Sequence, residues 1–153
     1  MIRDDIKAAL VTAMKAADKG RTGAIRLIQS AIKNRDIELR GGGGGAPADD
    51  DALVTEVLQK MIKQRRESIA LYEQGGRQEL ADAEKAEVAV IESFLPRQMS
   101  EEEARAAIDV IVAETGASSV KDMGRVMAAL KERHAGALDM SKASGLVKAR
   151  LSA

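Results

Sequence analysis

Few residues of this sequence could perform covalent chemistry. Its 153 residues include no cysteine and a single histidine, His134, so thiol catalysis, disulfides and multi-histidine metal sites are excluded. The pair Ser118-Ser119 suggests an amidase serine, but no lysine–serine arrangement accompanies it, and a serine that precedes a helix ordinarily caps that helix. No nucleophile has a base and an orienting group beside it, so we predict no catalytic residue.

Neither the acidic residues nor the glycines form a recognisable cofactor site. Glu84, Glu87 and Glu92 recur at helical spacing, which is more typical of surface charge than of an acid–base pair, and no further acids or histidines complete a metal-binding set. The run Gly41–Gly45 is followed by Ala-Pro and not by Lys-Ser or Lys-Thr, unlike a phosphate-binding loop. We interpret it as a flexible connector, and we expect no metal ion and no cofactor.

Positive charge is concentrated near the C-terminal end. The net charge of the whole chain is zero, which argues against strong indiscriminate nucleic-acid binding, yet the stretch 117–153 carries seven basic residues against three acidic ones. Such side chains donate to phosphate oxygens, although a single basic residue near a helix end more often stabilises the helix dipole. The candidate RNA-binding residues are Lys121, Arg125, Lys131, Arg133, His134, Lys142 and Lys148.

Two residues of this stretch have more than one interpretation. His134 is a surface histidine at a turn, a phosphate donor or a general base, and we favour the first because no nucleophile accompanies it. Gly124 lies inside a predicted helix that it weakens by roughly 1 kcal/mol relative to alanine. Close approach of another helix or of a phosphate backbone would account for that glycine, and of the two we predict helix packing.

The composition predicts an all-α fold. Hydrophobic residues make up 45% of the chain but aromatic residues only 1%, so the core must be built from aliphatic residues and methionine, which suits thin helix–helix layers. A β-sandwich or barrel would need more β-branched and aromatic residues. No apolar stretch reaches the length of a membrane span, and the first residues lack the apolar run of a signal peptide. We therefore expect a cytoplasmic protein with no membrane partner.

Four helices are predicted in the N-terminal part. Ile6 and Leu10 belong to an apolar stripe on the first helix, and we assign Gly20 as the left-handed residue that ends it. A second helix pairs with the first as an antiparallel hairpin, because the loop between them is short. A third helix runs from about Ala52 to Gln74, and the aspartates before it favour its start through the helix dipole.

Pro96 marks a predicted domain boundary. It disfavours helix at Leu95, so the fourth helix ends there, and Ser100–Glu103 then matches the capping-box pattern of a new helix. We predict an N-terminal helical domain over residues 1–96 and a second domain over residues 97–153. The second domain is a small three-helix bundle, with its later helices capped by Ser118 or Ser119 and by Asp139.

Three stretches of the sequence strongly resemble the YqeY family. They are AIRLIQSAIKNRDIEL near the start, FLPRQMSEEE at the boundary, and ETGASSVKDMGRVMAALKERHAG followed by SKASGLVKARLS. The resemblance covers nearly the whole chain, and the glycine run is its least family-like part. It implies an all-helical N-terminal bundle joined to a smaller helical tail.

The C-terminal module of this family is similar to the tail domain of GatB, the B subunit of the tRNA-dependent amidotransferase. In that enzyme the tail helps to hold the tRNA body, while the glutaminase and kinase chemistry lies elsewhere. The kinase cradle of GatB is absent from this sequence. The positions that match the tail domain are Gly124, Val126, Met127, Lys131, Gly136, Leu146 and Val147.

Two functional hypotheses follow from the charge and the resemblance. The first is a non-catalytic tRNA-binding or amidotransferase-related module, with tRNA or a protein of the translation or aminoacyl-tRNA machinery as its partner. The alternative is an adaptor that binds another protein through the amphipathic N-terminal helices and has no RNA role. The resemblance relates the chain to a component of a glutamine-dependent carbon–nitrogen ligase, but we do not expect catalysis by this chain alone.

Overall fold

The described part of the chain is all-α, as predicted. A computed structural model describes residues 1–42 and 49–153, which contain seven α-helices, one short 3₁₀ turn and no β-strand. These residues divide into two compact units, Met1–Leu95 and Pro96–Ala153, called here the N-terminal unit and the C-terminal unit. None of the described helices is both long enough and apolar enough to cross a bilayer.

The N-terminal unit consists of four helices. They are α1 (Ile2–Lys15), α2 (Lys19–Arg40), α3 (Asp50–Gln74) and α4 (Gln78–Glu92). One face of each helix contributes aliphatic side chains to a shared core, in which Ile25, Ile28, Val54 and Leu58 are fully buried. The spacing of three and four residues between these positions is the pattern that places side chains on one face of a helix.

The connection between α1 and α2 differs from the prediction. Gly20 lies inside α2, and the residue with a positive φ is Ala17, at 55°. The side chain of Asp18 caps α2 by accepting a hydrogen bond from the Arg21 amide, at 3.0 Å. The assignment of Gly20 as the left-handed cap was therefore wrong, because an aspartate cap starts α2 so early that the turn must be made by the residue before it.

Helix α3 begins close to its predicted start, at Asp50 and not Ala52, whereas α4 ends earlier than predicted. Asp49 caps α3 by accepting a hydrogen bond from the Ala52 amide, at 2.7 Å. Helix α4 ends at Glu92, three residues before the predicted end at Leu95. The amides of Phe94 and Leu95 instead donate to carbonyls three residues back, at 3.1 Å each, a tightening that is common in the last turn of a helix.

Most of the predicted glycine connector lies outside the described residues. Gly41 caps the C-terminus of α2, and Gly42 adopts a positive φ of 80°. The prediction of a flexible connector concerns chiefly the residues that follow, of which the structure gives no description.

The C-terminal unit contains the three predicted helices and one additional short element. The helices are α5 (Glu101–Thr115), α6 (Met123–His134) and α7 (Met140–Ser152), and a 3₁₀ turn at Val120–Asp122 precedes α6. Ile108, Ile111, Val126, Leu130 and Val147 form the centre of a second core. All members of this core come from the C-terminal unit.

The helix starts in the C-terminal unit rely on polar caps. Ser100 and Glu103 form the predicted capping box at the start of α5. Gly116 ends α5 with a left-handed φ of 68°, which glycine adopts without steric cost. Of the two candidate serines, Ser119 makes the cap, but it caps the 3₁₀ turn and exchanges hydrogen bonds with Asp122.

The residues that precede α5 are bound to the turn between α6 and α7. The side-chain amide of Gln98 donates to the carbonyl oxygens of Pro96, at 2.9 Å, and Gly136, at 2.8 Å. The Met99 amide donates to the Ala137 carbonyl at 2.7 Å. These bonds make residues 96–99 part of the C-terminal unit and not a free link.

Candidate nucleic-acid interface

The predicted RNA-binding residues lie on three successive elements of the C-terminal unit. Lys121 is on the 3₁₀ turn, Arg125, Lys131, Arg133 and His134 are on α6, and Lys142 and Lys148 are on α7. All of them are exposed except His134, which is half-buried in the last turn of α6. The structure thus leaves the six lysine and arginine side chains accessible to solvent.

Arg125 is held by the start of its own helix. Its guanidinium contacts the Asp122 carboxylate at 2.7 Å and donates to the Thr115 carbonyl oxygen at 3.3 Å. Asp122 also accepts hydrogen bonds from the amides of Ser118 and Ser119, and these bonds together with Arg125 lower the pKa of Asp122, with the Ser118 amide as the largest cause. Arg125 therefore already balances a carboxylate that stays ionised.

Arg133 is also paired. Its guanidinium lies 2.6 Å from the Glu114 carboxylate near the end of α5. The other arginines of the C-terminal unit follow the same rule. Their partners are Glu103 for Arg97, Glu101 for Arg105 and Asp109 for Arg150. Every arginine of this unit thus forms an ion pair, which suits a planar group that can present two donors to one carboxylate.

The lysines of the C-terminal unit behave differently. Within the described residues none of the four forms an ion pair, and all four are exposed; they are Lys121, Lys131, Lys142 and Lys148. These are called here the free lysines. The five arginines occupy five of the eight acidic residues of this unit. A sixth, Asp139, accepts a hydrogen bond from the Ser141 amide and caps α7, which leaves Glu102 and Glu132 as the remaining acids beside the four lysines.

The predicted residues of α6 do not share one face. Lys131 and Arg133 are two positions apart, a rotation of about 200°, so they lie on opposite flanks of the helix. Gly124 and Lys131 are seven positions apart and therefore lie on one flank. Lys131 is thus separated from the arginine that sequence analysis grouped with it.

Helix α7 places two of the free lysines on either side of a glycine. Lys142 and Lys148 are each three positions from Gly145, so they flank it by about 60° on either side. Gly145 is exposed, and apart from the backbone of its own helix no described atom lies within 4 Å of where its Cβ would stand. Open backbone between two cations is an arrangement in which a phosphate can approach closely.

Gly124 contradicts one prediction. It is exposed, and no neighbouring atom lies within 4 Å of the place a Cβ would occupy. The expectation that another helix packs against it was therefore wrong, since the packed face of α6 is the one that carries Val126 and Leu130. Two glycines that weaken helices, Gly124 and Gly145, are thus both exposed in the unit that carries the free lysines.

Other chemistry finds little support in the described residues. They contain no cluster of three or more histidine, aspartate or glutamate side chains that could hold a metal ion. A groove of about 240 Å³ runs between α5 and α7, but its charged residues Asp109 and Arg150 are paired at 2.7 Å.

One charged surface was not singled out by sequence analysis. Helix α2 carries a cation at every seventh position, in the order Lys19, Arg26, Lys33 and Arg40. The spacing was visible in the sequence, and α2 carries six basic residues against two acidic ones, but basic residues were sought only near the C-terminal end. These four residues are called here the α2 cation row.

Comparison with known proteins identifies the family. The model of the family described as Yqey-like protein matches residues 3–151. Curated relatives include proteins named "Altered inheritance of mitochondria protein 41, mitochondrial". The one from Eremothecium gossypii is 33% identical over 90 residues, which cover 59% of this chain and 46% of that protein. The one from Saccharomyces cerevisiae strain S288c is 32% identical over 95 residues, covering 62% and 46%.

Each of these alignments covers only part of the relative's sequence. A third, from Lachancea thermotolerans, is 33% identical over 91 residues, covering 60% of this chain and again 46% of the relative. The chain thus spans about half the length of the curated relatives it matches. The family match, in contrast, extends over nearly all of this chain and confirms the resemblance seen in its sequence: the protein belongs to the YqeY family.

Proposed function

We propose that the C-terminal unit is a non-catalytic tRNA-binding module, related to the tail of the tRNA-dependent amidotransferase, that holds phosphates with its free lysines. The observation that carries the proposal is the division between arginine and lysine. The arginines are engaged with carboxylates, and the four lysines are exposed without an ion pair among the described residues. A lysine ammonium without a carboxylate partner can exchange water and counterions for a phosphate oxygen.

The geometry favours backbone contacts over base recognition. A lysine presents a point charge on a flexible stem, which positions a nucleic acid without reading its sequence. The C-terminal unit contains no phenylalanine, tyrosine or tryptophan on which bases could stack, because Tyr72 and Phe94 both belong to the N-terminal unit, and its one imidazole, His134, is half-buried. Recognition of folded RNA by shape and phosphate contacts is consistent with these features, and tRNA is a folded RNA.

The resemblance to the GatB tail supports the choice of tRNA. Lys131 is one of the positions that match the tail, and it is exposed. Arg133 carries less weight in the proposal than sequence analysis gave it, because its charge is shared with Glu114. We keep the cytoplasmic location as part of the proposal, since the word mitochondrial in the relatives' names describes those proteins. A protein of the translation machinery as a further partner also remains a proposal.

The test is the salt dependence of tRNA binding by the full chain. We expect the affinity for total tRNA to fall steeply between about 50 and 200 mM salt. Replacing Lys121, Lys131, Lys142 and Lys148 with glutamine should weaken binding by on the order of 100-fold and flatten the salt dependence. The matched control replaces four lysines of the N-terminal unit that are also exposed and unpaired within the described residues: Lys7, Lys15, Lys60 and Lys63.

Two results would contradict the proposal. One is wild-type protein that does not bind tRNA, and the other is a quadruple variant that binds it as well as the control does. A pull-down that recovers the same protein partner before and after ribonuclease treatment, with no binding to purified tRNA, would replace the proposal with the adaptor hypothesis.

A further inference from the structure

We propose that the exposed face of α2 is a second nucleic-acid surface, on which the α2 cation row contacts the phosphate backbone of a double-stranded RNA segment. The row belongs to the N-terminal unit and shares no residue with the free lysines. Its affinity for a phosphate backbone is argued from α2 alone. Only the choice of RNA over DNA rests on the function proposed for the C-terminal unit.

The first argument is the regular spacing of the row. Seven residues correspond to a rotation of about 700°, so each cation is displaced by only about 20° from the one before it. With a rise of about 1.5 Å per residue, successive cations are about 10.5 Å apart along the helix, and the whole row is about 31 Å long. Lys19, Arg26, Lys33 and Arg40 therefore form one nearly straight line of charge along α2.

The second argument is that the row is exposed and unpaired. All four side chains are exposed, and none forms an ion pair within the described residues. The acidic residues of α2 are already engaged. Asp36 accepts two hydrogen bonds from Arg3, at 3.0 and 3.3 Å, and the carboxylate of Glu38 lies 3.3 Å from Arg35. The two acids inside α2 thus have other cations to balance, and Asp18, just before the row, accepts a hydrogen bond from the Arg21 amide.

The surface between the first cations also suits a phosphate backbone, whereas the exposed Ile37 lies between Lys33 and Arg40. The residues four positions beyond the first two cations are Gly23 and Ser30, both small and exposed. No described atom outside the backbone of its own helix comes within 4 Å of where a Gly23 Cβ would stand. A polyanion can therefore lie close to the first half of the helix without displacing a side chain.

The regular charge favours a nucleic-acid duplex over an acidic protein. A duplex carries roughly one phosphate charge per 1.7 Å of its axis, distributed over two winding strands, so a row about 31 Å long crosses a backbone at only a few points. The dense charge of the duplex attracts the row without requiring one fixed register, whereas an acidic protein would need carboxylates at matching positions. Helix α2 contains no aromatic residue, so the base stacking that supports single-strand binding has no platform there.

The experiment compares variants of the full chain in which four basic residues are replaced by uncharged ones. The row variant replaces Lys19, Arg26, Lys33 and Arg40 with glutamine, a good helix former, and circular dichroism checks that helicity is retained. The control is the Lys7, Lys15, Lys60 and Lys63 variant, which removes the same charge from the same unit. Binding is measured with a duplex RNA of about 16 base pairs, with a DNA duplex of equal length and with polyglutamate.

We expect the row variant to bind duplex RNA on the order of 10- to 100-fold more weakly than the control does. Its plot of log affinity against log salt should lose about one unit of slope for each contact removed. Equal RNA binding by the row variant and the control would overturn the inference. Binding of polyglutamate in preference to RNA would overturn it in favour of an acidic protein, and equal affinity for the DNA duplex would overturn the assignment to RNA.

The free-lysine variant of the C-terminal unit separates this inference from the proposed function. If only that variant loses tRNA and duplex binding, the α2 surface is refuted and the proposed function stands. If only the row variant loses binding, the α2 surface is supported and the function proposed for the C-terminal unit is refuted. Losses in both variants support both surfaces.

Discussion

The two units of this protein use arginine in different ways. In the N-terminal unit Arg3 of α1 contacts Asp36 of α2 and Asp50 of α3, and only 29% of its side chain is exposed. Arg65 of α3 contacts two glutamates of α4 and is 16% exposed. In the C-terminal unit the paired arginines are at least 46% exposed. Two arginines of the first unit therefore join helices through partly buried ion pairs, whereas the arginine pairs of the second unit, including those between helices, lie at the surface.

This difference has an energetic consequence. Exposed ion pairs typically contribute only about 0 to 1 kcal/mol, so the arginine pairs of the C-terminal unit add little to its stability. Removing one partner of a less accessible pair costs more, because the remaining charge loses hydrogen bonds that water replaces incompletely. The C-terminal unit must accordingly depend on its apolar core and its helix caps.

The separation of the two cores gives the largest predicted effect. Leu58 and Leu130 are fully buried, one in each core. We expect Leu58→Ala to cost about 2 to 5 kcal/mol and to speed amide hydrogen exchange in α1–α4 while exchange in α5–α7 is preserved. Leu130→Ala should show the reverse pattern. Faster exchange in both units after either change would show that the cores unfold together and would break the comparison.

Arg3 provides the next largest effect. We expect Arg3→Gln to reduce the free energy of unfolding by about 1 to 2 kcal/mol, a value lowered for the partial exposure of the site. Arg150→Gln, which breaks an exposed pair with Asp109, should cost less than about 1 kcal/mol. Urea unfolding of the two variants measures the difference. Equal costs would contradict the view that the two units use arginine differently.

Arg3 also makes the stability of the fold depend on pH. The hydrogen bond from Arg3 lowers the pKa of Asp50 below its usual value. A lowered pKa stabilises the fold above the unfolded pKa of about 3.9, and this contribution is lost as the pH falls through the folded pKa. Arg3→Gln should therefore destabilise the protein less at about pH 3 than at about pH 6. An equal loss of stability at both pH values would show that the pKa of Asp50 does not depend on Arg3.

The exposed glycines give the smallest effect and sharpen the comparison. Gly23 of α2 and Gly145 of α7 both lie inside helices with free space around them. Alanine at either position should raise stability by about 0.5 to 1 kcal/mol, as measured by thermal unfolding. Gly145→Ala, between Lys142 and Lys148, should also lower the affinity for tRNA. Stabilisation with unchanged tRNA affinity would remove Gly145 from the proposed surface.

The sequence predicts those features that depend on short-range patterns. The capping box at Ser100 and the aspartate cap at Asp139 are local arrangements, so their residue types and spacing were sufficient. The turn after α1 was assigned incorrectly because glycine is the usual left-handed residue, whereas the structure places Ala17 there. The choice depended on where α2 begins, and Asp18 decided that.

The candidate site was less predictable because pairing depends on tertiary structure. Arg133 meets Glu114 from another helix, a contact that requires the register between α5 and α6. Charge totals counted Arg133 and Lys131 alike, although the structure engages one and leaves the other exposed. The free lysines could therefore be identified only after the arginines had been assigned to their carboxylates.

The bonds made by Gln98 and Met99 decide where this protein can be divided in the laboratory. A fragment starting at Ser100 would keep all three helices of the C-terminal unit, yet the carbonyls of Gly136 and Ala137 would lose their donors. A fragment starting at Pro96 would retain both. Dissection of the two halves should therefore begin at the proline and not at the serine that opens the helix.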